Sequence, residues 1–324
     1  MDVDAIRAAA QRLDGHARKT PLLSSPFLDE IAGRRVLIKP ECLQHTGSFK
    51  FRGGRAAISA LPGDIRAKGV IAFSSGNHAQ GVALAAQDFG IPAVILMPSD
   101  TPRLKVENTR SYGAEVVFFD RATDDRDAIC DDLAKARGLT LVRPYDDAEV
   151  IAGQGTVGLE IAAQATELGI EAAEVLVPCG GGGLTSGVAL SLEADAPKMR
   201  VRPVEPKRFD DVARSLASGR IESNAAKAGS ICDAIITSQP GNLTFPILHR
   251  LCGSGLEVSE EECLRAMALA FARLKIVIEP GGVVALAAAL FHPDEIFGDT
   301  VIVVATGGNV DTPMFTRALE ALTP

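Results

Sequence analysis

Between Val70 and Val142 short apolar runs alternate with longer amphipathic ones at a near-constant spacing, and this rhythm constrains the fold more than any other feature of the chain. Strands are expected over Val70 to Phe73, Pro92 to Met97, Glu115 to Phe119 and Thr140 to Val142, with helices over Asn77 to Phe89, Arg103 to Tyr112 and Asp124 to Arg137. In the first of these helices Ala79, Val82, Ala83, Ala86 and Phe89 fall on one face. Strand and helix alternating through short loops predict an α/β fold, a parallel sheet with helices on its faces and ligands at the carboxyl ends of the strands.

The same pattern continues more loosely on both sides. Val36 to Lys39, Glu174 to Val177, Arg200 to Val204 and Val301 to Val304 read as strands. Ala5 to Leu13 and Arg55 to Leu61 read as helices, as does a segment led by Gln154-Gly155-Thr156 that aligns Val157, Ile161, Ala165 and Leu168. Ser259 to Glu262 forms a capping box at the start of another helix, and Leu216 to Ser230 reads as loop. Pro144-Tyr145-Asp146-Asp147 is a natural crossing point, so residues 63–146 are expected to form a small domain and residues 1–62 with 147–324 a large one. Each is a mostly parallel twisted sheet flanked by helices.

A chain of 324 residues with 47% hydrophobic composition can bury such a core. Its net charge of -8 argues against nucleic acid or an anionic membrane as partner, because both require a basic surface. The acidic start Met1-Asp2-Val3-Asp4 does not read as a targeting peptide, and the longest apolar run, Val283 to Phe291, is far short of a membrane span, so a cytoplasmic location is expected. The six cysteines lack the paired spacing of a zinc or redox site and read as reduced residues in or near the core.

Four stretches carry chemistry. In Pro178-Cys179-Gly180-Gly181-Gly182-Gly183-Leu184 a strand turns into a helix through four glycines, whose ordering costs entropy and is kept mainly where backbone lies close to something. Free amides at a helix start suit a phosphate. The dinucleotide fingerprint fails because Thr185 or Ser186 stands at the third glycine position, and a Walker loop fails because Val188 follows Gly187, so the anion stays open, as does a plain tight turn. Lys50, between Phe49 and Phe51 in a loop before the helix, is placed to lose its proton and become a nucleophile, although a solvated lysine is the commoner outcome. Ser74-Ser75-Gly76-Asn77-His78 offers hydroxyls and amides at a helix start, either a carboxylate nest or an ordinary cap. Glu205 and Asp211 can share a hard cation or simply cap turns.

Taken in order, Gly47-Ser48-Phe49-Lys50-Phe51-Arg52-Gly53, Ser74 to Gly81, Ile151 to Thr156, Gly180 to Leu184, Glu279 to Gly282 and Thr306-Gly307-Gly308-Asn309 resemble one family across nearly the whole chain. It is similar to the fold-type II pyridoxal-phosphate enzymes, in the branch of serine/threonine dehydratases and serine racemases; the loop at Ser74 sets it apart from the sulfhydrylase branch. The resemblance implies pyridoxal 5'-phosphate as cofactor, a Schiff base on Lys50, Phe49 packed behind the ring and phosphate held by the amides of Gly180, Gly181, Gly182, Gly183 and Leu184. It further implies Asn77 at the ring hydroxyl, Thr306 at the ring nitrogen, and Glu279 beside the cofactor. Ser74, Ser75, Gly76, Asn77 and His78 would hold the substrate carboxylate, with Ser75 as a second acid-base group on the face opposite Lys50. Glu205, the Phe209 carbonyl and Asp211 match the Mg2+ or Ca2+ site of racemase-like members, and a homodimer is expected.

The implied reaction is dehydration and deamination of a small β-hydroxy amino acid such as L-serine, L-threonine or 3-hydroxyaspartate to an oxo acid and ammonia. Racemisation in the same site is the nearer alternative, and a non-catalytic phosphate-binding α/β protein the farther one. Arg143-Pro144-Tyr145 departs from the family's usual His-Pro, which puts a cation, with Arg126 as a lesser candidate, where a second substrate carboxylate would sit, and Tyr145 at the pocket edge. The chain ends soon after Asn309, so a regulatory domain answering to isoleucine is not expected.

Overall fold

The computed structural model describes residues 1–322 apart from Ser75, Pro102, Arg121 and Lys227. Among them ten strands form two sheets: β1 (Leu23–Ser24), β2 (Arg35–Pro40), β3 (Val70–Phe73), β4 (Ala93–Pro98), β5 (Glu115–Phe119), β6 (Thr140–Leu141), β7 (Ala173–Pro178), β8 (Met199–Pro206), β9 (Leu256–Val258) and β10 (Thr300–Ala305). One sheet runs β5-β4-β3-β6 and the other β1-β2-β10-β7-β8-β9, and every pairing is parallel except the short β1 against β2. The reason lies in composition. β7 is buried along its whole length and β10 from Val301 to Ala305, as apolar runs covered on both faces must be. Residues 70–141 supply the smaller sheet, and the chain passes to the larger through Pro144 to Asp147.

Several elements depart from expectation. The helix expected from Arg55 begins five residues earlier, as Lys50–Ala60, so Lys50 occupies a helix start and not a loop. Gly53 and Gly54 hide this in the sequence. They are kept inside the helix because a Cβ on Gly53 would come within 3.0 Å of the Val150 and Gln154 side chains, and one on Gly54 within 3.3 Å of the Val82 amide. The helix placed at Gln154 is Ala148–Glu167, with the Asp147 carboxylate accepting the Val150 amide at 3.0 Å as its cap. A helix Asp211–Ser218 covers the start of the segment read as loop. The strands β1 and β9 and the helices Pro26–Ala32, Thr244–Leu251 and Thr312–Glu320 had no sequence expectation.

The helix Ala148–Glu167 organises the interior. A Cβ on Gly153 would lie 2.6 Å from the Arg52 carbonyl; on Gly155, 3.0 Å from the Gly187 carbonyl; on Gly158, 2.9 Å from the Val188 Cα. This one helix therefore touches the backbones of both Lys50–Ala60 and Gly183–Asp195. Beneath it lies a buried charge cluster. Arg52, 1% exposed, makes two 2.8 Å bonds to the Glu41 carboxylate and one of 2.7 Å to Glu160, whose carboxylate also takes Lys39 at 2.5 Å. Glu41 also accepts the Thr20 hydroxyl at 2.7 Å.

Candidate active site

Three strand ends meet at one cleft of about 850 Å³: β3 gives way to Ser74–His78, β7 to the glycine loop and β10 to Thr306. Phe49, Lys50, Ser74, Gly76, Asn77, His78, Arg143, Tyr145, Gly180, Gly181, Gly182, Gly183, Leu184, Glu279 and Thr306 all line it. Ser75 lies outside the described residues. Glu205, Phe209 and Asp211 are not in this lining.

Lys50 points its amine at the Pro144 carbonyl, 2.7 Å away, and at the Phe49 ring, 5.0 Å from its centre. Burial lowers its pKa to about 8, because desolvation disfavours the ammonium. Only one of the two flanking phenylalanines contributes. Phe51 is buried in the core, edge-on to His45 at 5.1 Å.

Across the cleft, Gly182 adopts φ +90°, which lets the backbone turn from β7 into the helix Gly183–Asp195. The first amides of that helix have no intrahelical partner. A side chain at Gly181 would collide with the Tyr145 ring, and one at Gly182 would lie 2.9 Å from the Thr244 hydroxyl. Thr244 in turn donates to the Gly181 carbonyl at 2.7 Å, and Asp146, held at φ +56°, accepts the Leu243 amide at 2.6 Å, so the loop is braced from behind. Beside it the Gln154 amide is buried with neither of its atoms hydrogen-bonded.

The third wall is a polar relay. Asn309 donates to the Asn77 side-chain oxygen at 2.7 Å, and Asn77 donates to Glu279 at 2.5 Å. Burial raises the Glu279 carboxyl to about 7. His78 is fully desolvated near Lys50, which pushes its pKa down to about 3 and keeps it neutral. Its Nε2 lies 2.9 Å from the Val142 carbonyl and must carry the proton, leaving Nδ1 as a buried acceptor without a partner. A neutral ring cannot supply the positive charge that a carboxylate nest favours, so any anion binding at this loop depends on its amides and hydroxyls. Ser74 already accepts the Gly76 amide at 3.1 Å.

The two arginines differ. Arg126 stacks on Phe73 at 4.1 Å and pairs with Asp127 at 2.9 Å, whereas Arg143 is exposed at the cleft with no hydrogen bond or ion pair among the described residues. Away from the cleft, Glu205 accepts the Val212 and Ala213 amides at 3.0 and 2.7 Å. Asp211 accepts Asn224 at 2.6 Å through one oxygen while the other is buried without a partner. Burial raises both carboxyls, Asp211 to about 7. No group of three or more His, Cys, Asp or Glu able to hold a metal occurs among the described residues.

An amine tuned towards neutrality, an amide-rich loop and a set of hydroxyls in one cleft suit carbonyl and amino chemistry on a phosphorylated group. Comparison with known proteins agrees. L-threo-3-hydroxyaspartate ammonia-lyase from Pseudomonas sp is 43% identical over 317 residues, 98% of each chain. The crystal structure of a threonine deaminase from T.th. superposes with a TM-score of 0.91 at 44% identity, covering 96% of this chain and 99% of that one. The structure of maize serine racemase does so with a TM-score of 0.90 at 36% identity, covering 98% and 97%. Residues 13–307 match the family model described as pyridoxal-phosphate dependent enzyme, and the chain belongs to that family of enzymes.

Proposed function

We propose that this enzyme eliminates water from a small β-hydroxy amino acid, with L-threo-3-hydroxyaspartate preferred, and that the product hydrolyses to an oxo acid and ammonia. The observation that carries the reaction is the Lys50 amine, half-buried, lowered to about 8 and sharing one cleft with the glycine loop. The preference rests on Arg143, unpaired among the described residues, and on the likeness to the 43% identical hydroxyaspartate lyase.

The residues fit the cofactor. The loop admits no side chain at Gly181 or Gly182, and the buried Gln154 amide beside it lacks partners. Pyridoxal phosphate, when bound, delocalises the electron pair left at the substrate Cα. In this reading the amides of Gly180 to Leu184 take its phosphate, Asn77 its ring hydroxyl and Thr306 its ring nitrogen, while Phe49 packs against the ring and Glu279 fixes Asn77. Lys50 would hold the cofactor covalently, and its amine, when free, would take the Cα proton. Ser74, Gly76, Asn77 and the backbone at His78 orient the substrate carboxylate. Arg143 holds the second carboxylate, and Tyr145 closes that edge. Residues 63–146 act as the small domain that carries the carboxylate loop.

Borohydride reduction of the yellow holoenzyme should fix the label on Lys50; a protein that stays colourless with pyridoxal phosphate refutes the reading. Arg143→Met should lower kcat/KM for 3-hydroxyaspartate about tenfold or more while leaving L-serine within about twofold, since an ion pair selects for the diacid. An equal loss on both removes Arg143 from substrate selection. Serine racemisation is a second reading, favoured by the likeness to maize serine racemase, and chiral analysis of recovered serine decides it.

We also infer a Mg2+ or Ca2+ ion on Glu205, the Phe209 carbonyl and Asp211, supported by the unpartnered Asp211 oxygen. Added Mg2+ should raise Tm in the wild type and not in Asp211→Asn; equal shifts dismiss the site. A cytoplasmic homodimer completes the reading. Exposed Phe27 and Phe271 favour association, and no helix among the described residues is long and apolar enough to cross a membrane. A monomeric mass by light scattering would count against the dimer.

A further inference from the structure

Gln154 is 1% exposed and lines the cleft, yet neither end of its amide has a hydrogen-bond partner among the described residues. A glutamine kept only for packing would be expected to satisfy at least one of these groups, because an unmade buried hydrogen bond is costly. Its neighbours explain why it cannot turn away. Gly153 and Gly155 let the helix Ala148–Glu167 press against Arg52 on one side and Gly187 on the other, wedging Gln154 between the lysine-bearing helix and the helix of the glycine loop. A Cβ on Gly183, the first residue of that second helix, would lie 2.7 Å from Gln154 Oε1, and one on Gly53 would lie 3.0 Å from Nε2.

We propose that Gln154 is a ligand of the phosphate end of the cofactor. Resting on the functional reading above, the assignment has the amide N–H group donate to a phosphate oxygen while its carbonyl accepts an amide of the glycine loop, so that one side chain fills both gaps. The two ends of an amide exchange by a half-turn, so either atom now at the cleft can serve as the donor. The glycine loop supplies backbone donors only, and Gln154 adds a side-chain donor from a different element.

The test compares pyridoxal phosphate with pyridoxal, which lacks the phosphate, by absorbance titration of cofactor-free wild type, Gln154→Leu and Gln154→Glu. Gln154→Leu should weaken pyridoxal phosphate by about tenfold to a hundredfold, the range for a hydrogen bond to a charged group, and leave pyridoxal within about twofold. Gln154→Glu, of the same shape but repelling the phosphate, should lose more, and inorganic phosphate should compete less well in both variants. Parallel losses for the two aldehydes would mean a structural role and overturn the assignment. So would unchanged affinities, which would mean that only water fills the gap. A wild type that binds neither aldehyde defeats the functional reading itself, an outcome distinct from either of these.

Discussion

The Lys50 amine titrates near 8 in the fold against an ordinary value of 10.5, and burial alone is the cause. Under the proposed reading this amine is free only once substrate has displaced it, so kcat for elimination should rise with pH and level off above about 8. Lys50→Met should lose at least about a thousandfold in activity, since base and covalent link vanish together. The same shift carries a sign for stability. Between about 8 and 10.5 the unfolded chain holds more protons at this site than the folded one, so the cofactor-free protein gains stability as pH rises through that window. Below 8 the desolvation penalty is fully present. Cofactor-free Lys50→Met should thus melt about 2 °C or more above wild type at pH 7, and the gap should close towards pH 10.5; a variant that melts lower at pH 7 contradicts a desolvated amine. Phenylalanines on both sides of Lys50 made this burial legible in sequence, although only Phe49 faces the amine. The neutrality of His78 was not legible, because it comes from burial in the assembled cleft and from the nearby charge of Lys50, 28 residues away.

At the scale of elements, the glycine loop is shaped as much by what presses on it as by its own freedom. Tyr145 covers Gly181, Thr244 backs Gly182, and Asp146 ties the segment before Thr244 to the crossing between the sheets. Gly181→Ala should cost about 1–3 kcal/mol by urea denaturation, the usual penalty of overpacking, and weaken cofactor binding at least tenfold. Gly181→Ala with Tyr145→Ala should recover part of that stability. No recovery would mean that the backbone, and not the ring, is the obstacle. The loop and the rhythm from Val70 to Val142 could be read in advance because parallel strands buried on both faces are continuous apolar runs. β1, with two residues, and β9, with three, are too short to show a period. Pro246 inside the first turns of Thr244–Leu251 broke the helical pattern there, and Gly53 and Gly54 did the same for the helix that begins at Lys50.

Over the whole molecule, the cluster of Arg52, Glu41, Glu160 and Lys39 fastens β2 and the 3-10 turn Glu41–Leu43 that follows it, the lysine helix and the helix Ala148–Glu167 around charges largely withdrawn from water, with only Glu160 partly exposed. Arg52→Met leaves Glu41 and Glu160 without their main counter-charge, and about 3–5 kcal/mol of stability should be lost in urea denaturation. Arg52→Lys should rescue little, because a single ammonium cannot replace a fork that serves both carboxylates. A loss below about 1 kcal/mol would show that the carboxylates find other partners. Composition marks these residues only as charged; their pairing spans 11 to 121 positions and exists once the fold has formed. Gln154 likewise sat within a quoted motif, but its missing partners are a property of the assembled cleft. The glycines around it have a metrological consequence. Because one rigid helix abuts the backbones of both walls, the span from the Lys50 anchor to the loop is a fixed gauge rather than an adjustable grip. Under the proposed reading, a cofactor analogue one methylene longer between ring and phosphate has no slack to use, so the site is calibrated for one length of molecule before it selects any substrate.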